Sequence, residues 1–315
     1  MINIDPTEYF TETPKRIIPV ENPTRGGARD EILDFLGESG HYSRSFGEQW
    51  QKYRDVQIDR LNGTCATFHH LKEVFMQGDL TPLEGKTCLE IGSGAGRFTD
   101  LLVDVCGKLI TIEPSQALTV NVALGHPKLI PAHADLFQIP IRREKVDVVF
   151  CRGVTQHTRD TRAAIRRLFD YVKPGGTVLF DVYHLRWFTP FVAKYWLRPF
   201  TRGIDSRKFM KWAEHWVPRL LRFKHKFVSP LMPKNALGIN LANQIVPVAD
   251  FTGAELLKDE EQRMAWSILD TVDMYTPRYD GPLTWNSVMR IMEEVGARDV
   301  VGSRSTFCFR ATAPV

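Results

Sequence analysis

Between residues 86 and 184, short apolar runs alternate with stretches whose apolar positions recur at helical spacing. KTCLEIG is an apolar run ending in glycine, RFTDLLVDVC carries helical periodicity, and KLITIEP is β-rich and stopped by Pro114. That is one strand–helix–strand unit. The alternation continues with a helix after Ser115, strands at LIPAHAD and VDVVFCRG, a helix at DTRAAIRRLFDYV, the turn KPGG and a strand at TVLFDVYH. Such a pattern predicts an α/β fold: a Rossmann-like, doubly wound, mostly parallel sheet covered by helices on both faces.

Further on, TWNSVMRIMEEVGA reads as a helix closed by Gly296. The β-rich runs ARDVVGS and STFCFRAT follow it, and an antiparallel hairpin there brings the expected total to seven strands. The chain then divides into an N-terminal helical extension (1–83), a first part of the core (84–183), an inserted helical lid or substrate region (184–282) and a last part of the core (283–315). Within the extension, SFGEQWQKYRDVQIDRLNG places Phe46, Trp50, Tyr53, Ile58 and Leu61 at roughly helical spacing, with Ser45 as N-cap and Gly63 as stop. The expected helix is amphipathic, and its stripe is read as facing the core rather than a ligand.

Composition adds constraints. With 315 residues and 43% hydrophobic content, the chain can bury a sizeable core. Its five cysteines, Cys65, Cys88, Cys106, Cys151 and Cys308, lack CxxC spacing, which points to reduced thiols in a cytoplasmic protein rather than a zinc site or a disulfide framework. The opening residues do not have the pattern of a secretory leader, and no apolar run is long enough to span a bilayer. The net charge of +4 is unevenly spread: residues 184–234 hold twelve Lys or Arg against Asp205 and Glu214, leaving the remainder net acidic.

The candidate chemistry starts at LEIGSGAGRF, which sets Gly92, Gly94 and Gly96 around Ser93, two residues after Glu90. A strand that runs through a glycine-rich turn into a helix exposes backbone N–H groups and lets a ligand lie against the main chain. The spacing is GxGxG, with Arg97 where a dinucleotide fingerprint carries glycine or alanine, and no GK[ST] follows. Glu113 and Pro114 end the second strand, and Asp135 with Leu136 ends the third. A carboxylate at the second position can accept from both hydroxyls of a ribose, at about 1.5–3 kcal/mol per charge-assisted bond. One at the third can accept from an adenine amino group.

The ordered set E-x-G-x-G-x-G, an acid after the second strand, Asp after the third, VDVVFCRGVTQHT and VKPGG resembles the class I S-adenosylmethionine-dependent methyltransferases. The resemblance is strong over about residues 84–184 and looser over 283–313. The flanking sequences look like those of a bacterial subgroup associated with small molecules, including sugar and glycolipid assembly. The family implies S-adenosyl-L-methionine as cofactor, with Glu90 and Gly92 to Gly96 holding its methionine portion, Glu113 the ribose, and Asp135 with the backbone of Leu136 the adenine. It also implies Arg152 and Gly153 near the sulfonium. Where many relatives carry two consecutive histidines after the fourth strand, this chain has Gln156 and His157.

A hydroxyl acceptor needs a proton acceptor, and histidine titrates closest to neutrality. His157 is the first candidate base and His184 the second. Tyr183, Tyr275, Arg278 and Tyr279 are candidate acceptor contacts. No metal is implied. In the inserted region, aromatic residues lie among the cations, with Phe209, Trp212, Trp216 and Leu220 at helical spacing. A plain lid is the first reading of that segment. An anionic, glycosylated or lipid-linked acceptor, or peripheral membrane contact through 184–234, is the second. Nucleic acid ranks third, since no RNA-binding module is visible. The rival functions are a nicotinamide-dependent oxidoreductase and a methyltransferase-like module that binds cofactor without turnover.

Overall fold

The computed structural model describes residues 6–22, 28–37 and 53–315. Among these described residues nine strands form one sheet: β1 (Arg16–Asn22), β2 (Ala28–Asp34), β3 (Thr87–Ile91), β4 (Lys108–Ile112), β5 (Leu129–His133), β6 (Val148–Cys151), β7 (Thr177–Asp181), β8 (Arg298–Gly302) and β9 (Cys308–Thr312). Their order is β1-β2-β5-β4-β3-β6-β7-β9-β8. From β2 to β7 the pairing is parallel, while β9 runs antiparallel to both β7 and β8, as expected for the terminal hairpin.

The sheet has two strands more than the seven expected. β1 and β2 form an antiparallel pair that joins the edge at β5, so the N-terminal extension is not wholly helical. Pro19 hides β1 from a sequence reading, because proline inside an apolar run argues against a central strand; at a sheet edge it is tolerated. Of the helical stripe expected in the extension, Ser45, Phe46 and Trp50 lie outside the described residues. Its later part forms α1 (Arg54–Gln57) and α2 (Asp59–Asn62), with Gly63 in the left-handed conformation closing α2. A short α3 (Ala66–His69) follows.

Helices α4 (Thr99–Val105), α5 (Ala117–Val122) and α6 (Thr161–Asp170) alternate with the central strands. Because side chains alternate across a strand, Leu89 and Ile91 of β3 enter the core facing α6, while Cys88 enters the core facing α4 and α5. After β7 the chain leaves the core and returns at a backbone bridge between His184 and Leu283. The excursion contains α7 (Ala193–Thr201), α8 (Ser206–Phe223), α9 (Ala236–Ile245) and α10 (Glu260–Tyr275). These helices build a hydrophobic cluster of their own from residues such as Phe209, Val217, Leu221, Val272 and Tyr275. Asp205 and Asp259 cap α8 and α10 by accepting backbone N–H bonds in the first turn. The core then closes with α11 (Trp285–Glu294), capped by Thr284.

The chain builds β3, β4 and β5 outward and then returns to lay β6 on the other side of β3. This reversal opens a crevice beyond the carboxyl ends of β3 and β6, where ligands bind in open α/β sheets.

Candidate active site

A cavity of about 840 Å³ sits at that crevice, walled by the strand-end loops below and by the inserted helices above. Its floor is the loop after β3. Gly92, Gly94 and Gly96 all have positive φ, at 76°, 55° and 102°. Their steric surroundings differ. A Cβ on Gly92 would lie 2.1 Å from Val154 Cγ2, and one on Gly96 would lie 2.6 Å from Asn121 Oδ1 of α5. A Cβ on Gly94 would meet nothing within 4 Å. Gly92 and Gly96 therefore serve close packing of the protein, while Gly94 keeps the floor of the cavity bare.

The two ends of the Glu113 carboxylate do separate work. Oε2 accepts from Gly94 N at 3.0 Å and Oε1 from Ser115 N at 2.9 Å, so this acid ties the end of β4 to the glycine loop. Pro114 follows it in the cavity wall. Asp135 lies across the floor, accepting from Phe137 N at 2.9 Å, and Leu136 is buried beside it. The floor fits an adenosyl ligand on two observations. Ser93 Oγ is buried at the cavity yet has no hydrogen-bond partner among the described residues, and the Gly94 position is open.

Glu90 is placed behind the loop rather than in the cavity wall. Its Oε2 accepts from Thr99 Oγ1 at 2.6 Å and Thr111 Oγ1 at 2.9 Å, and burial pushes its carboxyl up to about 7 against those two bonds. Asn121 in turn donates to Thr99 Oγ1, linking the loop, α4 and α5. Arg152 and Gly153 line the cavity after β6, where Asp181 fixes both: Oδ2 accepts from Arg152 Nη1 at 2.5 Å and Oδ1 from Gly153 N at 2.6 Å.

The opposite wall is acidic and aromatic. His157 Nδ1 lies 3.2 Å from the Tyr279 carbonyl oxygen, and its Nε2 lies 3.7 Å from Asp273 Oδ2. The Tyr183 ring meets the imidazole edge-on at 5.4 Å, and its hydroxyl donates to Asp273 Oδ2 at 3.1 Å. Burial is the largest single influence on His157 and opposes its protonation, but the Asp273 charge and contact, the Tyr279 carbonyl and the Asp280 charge together outweigh it and raise the imidazole above its ordinary value. Asp273 responds in the other direction: burial raises it, the His157 charge lowers it, and the net shift is downward. One helical turn earlier, Asp270 faces the cavity with no ion-pair partner among the described residues; burial and then the neighbouring Asp273 push its carboxyl up to about 6. Arg97 also reaches the cavity, its guanidinium 4.6 Å from the Trp266 ring and 5.0 Å from the Phe98 ring. Burial, followed by Arg152, pulls it down to about 9.

The remaining candidates separate. His184 lies in the cavity wall, but it stacks on Phe307 at 3.9 Å and accepts from Arg186 Nε at Nδ1, and burial with Arg186 lowers its pKa. Arg278 and Tyr279 line the cavity. Tyr275 does not: it packs in the lid cluster and donates its hydroxyl to Pro247 O at 2.5 Å. The helical phase of α10 turns Tyr275 away from the cavity, while Asp270 and Asp273 face it. Asp181, Asp270 and Asp273 are absent from the sequence-derived candidates. Asp181 had a usable signal, being an acid at a strand end like Glu113 and Asp135; Asp270 and Asp273 had a weaker one, two acids three residues apart inside an otherwise apolar helical face.

A bare glycine cradle with strand-end acids at the switch point of a doubly wound sheet defines a Rossmann-like nucleotide- or adenosyl-binding protein. Residues 89–180 match the family described as methyltransferase domain. A ubiquinone biosynthesis O-methyltransferase of Pectobacterium carotovorum is 31% identical over 180 residues, covering 50% of this chain and 73% of that protein. The chain belongs to the S-adenosylmethionine-dependent methyltransferases of class I. A probable S-adenosylmethionine-dependent methyltransferase of Mycolicibacterium smegmatis is 29% identical over 141 residues, 45% of this chain and 48% of that protein. The chain spans about half the length of the first curated relatives it matches. Among solved structures, a SAM dependent methyltransferase from Aquifex aeolicus aligns over 84% of this chain and 96% of its own at 14% identity and a TM-score of 0.41.

Proposed function

We propose that the protein transfers a methyl group from S-adenosylmethionine to a hydroxyl of a small acceptor, a sugar, glycolipid or other hydroxylated natural product, held between the glycine cradle and the inserted lid. The observation that carries the choice of oxygen is the orientation of His157. A carbonyl only accepts, so the Tyr279 contact assigns the proton of the neutral ring to Nδ1 and leaves the lone pair on Nε2, beside Asp273. That nitrogen can take a hydroxyl proton, and Asp273 stabilises the imidazolium that results. The similarity to a ubiquinone biosynthesis O-methyltransferase supports the same acceptor atom.

When bound, S-adenosylmethionine supplies an already activated methyl carbon, which leaves the protein chiefly positioning, proton transfer and exclusion of water. In this reading Glu113 takes the ribose hydroxyls, Asp135 and the Leu136 backbone the adenine edge, and Ser93 with the Gly92–Gly96 loop the methionine portion. Glu90 acts indirectly, by holding α4 and β4 to the loop through Thr99 and Thr111. Asp270, Asp273, Tyr183 and Lys194 give the lid wall polar groups suited to a polyhydroxylated acceptor. Membership of the methyltransferase family, together with the GxGxG spacing, sets the nicotinamide alternative aside.

The test is incubation of the purified protein with methyl-labelled S-adenosylmethionine and fractionated small-molecule extract. Label in an ether linkage, lost with His157→Ala, is the expected result. Label on nitrogen or carbon would overturn the choice of oxygen. Cofactor binding without transfer to any fraction would favour a module that has lost turnover.

A further inference from the structure

We propose that the outward face of the inserted lid docks on an anionic lipid bilayer. Of the twenty large apolar side chains exposed among the described residues, fifteen fall between Trp187 and Ile245. Trp187 is 85% exposed, and Phe200 and Leu231 are each 80% exposed. A soluble surface rarely gathers so much exposed apolar area in one segment unless something covers it.

The longest lid helix shows how this face is built. At about 100° per residue, Phe209, Ala213, Val217 and Leu221 of α8 fall on the side that packs in the lid cluster. The side opposite the cluster carries Lys208, Lys211 and Arg222, and the exposed flank between those cations and the cluster carries an adjacent stripe of Trp212, Trp216 and Phe223. Those three cations have no carboxylate within ion-pair distance among the described residues. The buried lid cations are matched, by contrast: Lys194 and Arg198 face Asp280, and Lys224 faces Asp250. Aromatic rings next to unpaired cations are the composition of a helix that lies in a lipid headgroup region.

The same features discriminate between occupants. In a two-fold contact with a second copy this patch would face itself, setting the cationic stripe against its own like. A nucleic acid would use the cations but not Leu231, Leu237, Ile239 and Ile245, which are aliphatic and exposed. A bilayer with anionic headgroups uses both. No helix among the described residues is long and apolar enough to cross a membrane, so the contact is peripheral. Docking does not depend on the methyl-transfer reading. One consequence does rest on that reading: Lys194 and Tyr195 line the cavity while Trp196 and Leu197, next in the same helix, face outward, so a docked lid would set the acceptor site beside the lipid.

The experiment is co-sedimentation of the full chain with neutral phosphatidylcholine vesicles and with vesicles that also contain phosphatidylglycerol, at low and high salt. We expect binding to the anionic vesicles that falls with salt. Trp196→Ser with Phe200→Ser, and separately Lys208→Glu with Lys211→Glu, should each lower the partition coefficient at least about tenfold. Melting temperature and S-adenosylhomocysteine affinity should stay at wild-type values in both pairs, showing that fold and cradle are intact. Absence of binding to either vesicle, salt-insensitive binding to both, or a dimer in sedimentation equilibrium that these variants dissociate would each overturn the proposal. Vesicle binding by a wild-type chain that does not bind S-adenosylhomocysteine would leave docking in place and remove the methyl-transfer reading.

Discussion

His157 Nε2 and Asp273 Oδ2 face each other at 3.7 Å in the cavity wall, one from the loop after β6 and the other from the lid helix α10. Core and insertion thus each supply half of the proposed proton acceptor. Folding the lid onto the sheet assembles it, and Tyr183 at the root of the insertion fixes the carboxylate by its hydroxyl.

This pairing sets a pH dependence. The pKa of His157 is raised, so at neutral pH a larger fraction of the ring is protonated and unable to act as a base. Activity should therefore climb with pH through an inflection above the ordinary imidazole value of about 6.5. Asp273→Asn removes the charge responsible for the shift and should move the inflection to lower pH while reducing the maximal rate by roughly ten- to a hundredfold. A pH–rate profile with an unmoved inflection would assign the titration to another group.

For stability the same pair has a definite sign. A histidine raised in the folded state stabilises the protein fully below its unfolded pKa, and that contribution is lost as pH rises through the folded value. His157→Ala should accordingly lower the melting temperature more at pH 5 than at pH 9, as read by differential scanning calorimetry.

Glu90 provides an independent check with the same sign. Its carboxyl is pushed up to about 7 by burial, so the folded protein binds a proton that the unfolded chain releases in the carboxylate range. Stability from this group falls as pH rises from the unfolded carboxylate value toward 7. The neutral isostere Glu90→Gln should then gain melting temperature relative to wild type between pH 5 and pH 8. An unchanged difference would place the Glu90 proton elsewhere.

Gly94 and Gly92 should respond unequally to alanine. Gly94→Ala meets no atom and incurs only the left-handed backbone cost, about 1–2 kcal/mol, so its main effect should be on cofactor affinity. Gly92→Ala adds a 2.1 Å clash with Val154 to the same backbone cost and should lose about 3 kcal/mol or more in urea denaturation.

Glu113→Ala removes the acceptor for Gly94 N and Ser115 N as well as the proposed ribose ligand. Loss of one or two charge-assisted bonds should weaken S-adenosylhomocysteine binding about tenfold or more. Glu113→Gln, which keeps an acceptor oxygen, should recover part of the loss.

The core was readable from sequence because its strands are buried on both faces and appear as nearly continuous apolar runs, interrupted by few polar residues such as Glu90 and Thr111, with a glycine, a proline or an acid at or just beyond their ends. The N-terminal hairpin was not, since Pro19 and the charges of ARDEILD suit a sheet edge, and edges do not repeat the core pattern. The floor of the site was legible for a related reason: residues after a strand end are placed by the sheet itself. The lid wall was not, because whether Asp273 or Tyr275 faces the cavity depends on the rotation of α10 against the core, a tertiary property that periodicity leaves undetermined. For that reason Tyr275 turns inward to Pro247 while Asp270 and Asp273 line the cavity.

The central claim, that the cradle at the β3–β6 crevice binds the adenosyl cofactor, is tested most directly by isothermal titration calorimetry of the purified chain with S-adenosylhomocysteine. Saturable binding of one ligand per chain is expected, with a Kd below about 100 μM, equivalent to roughly −5.5 kcal/mol or better. No saturable heat at concentrations up to about 1 mM would contradict it.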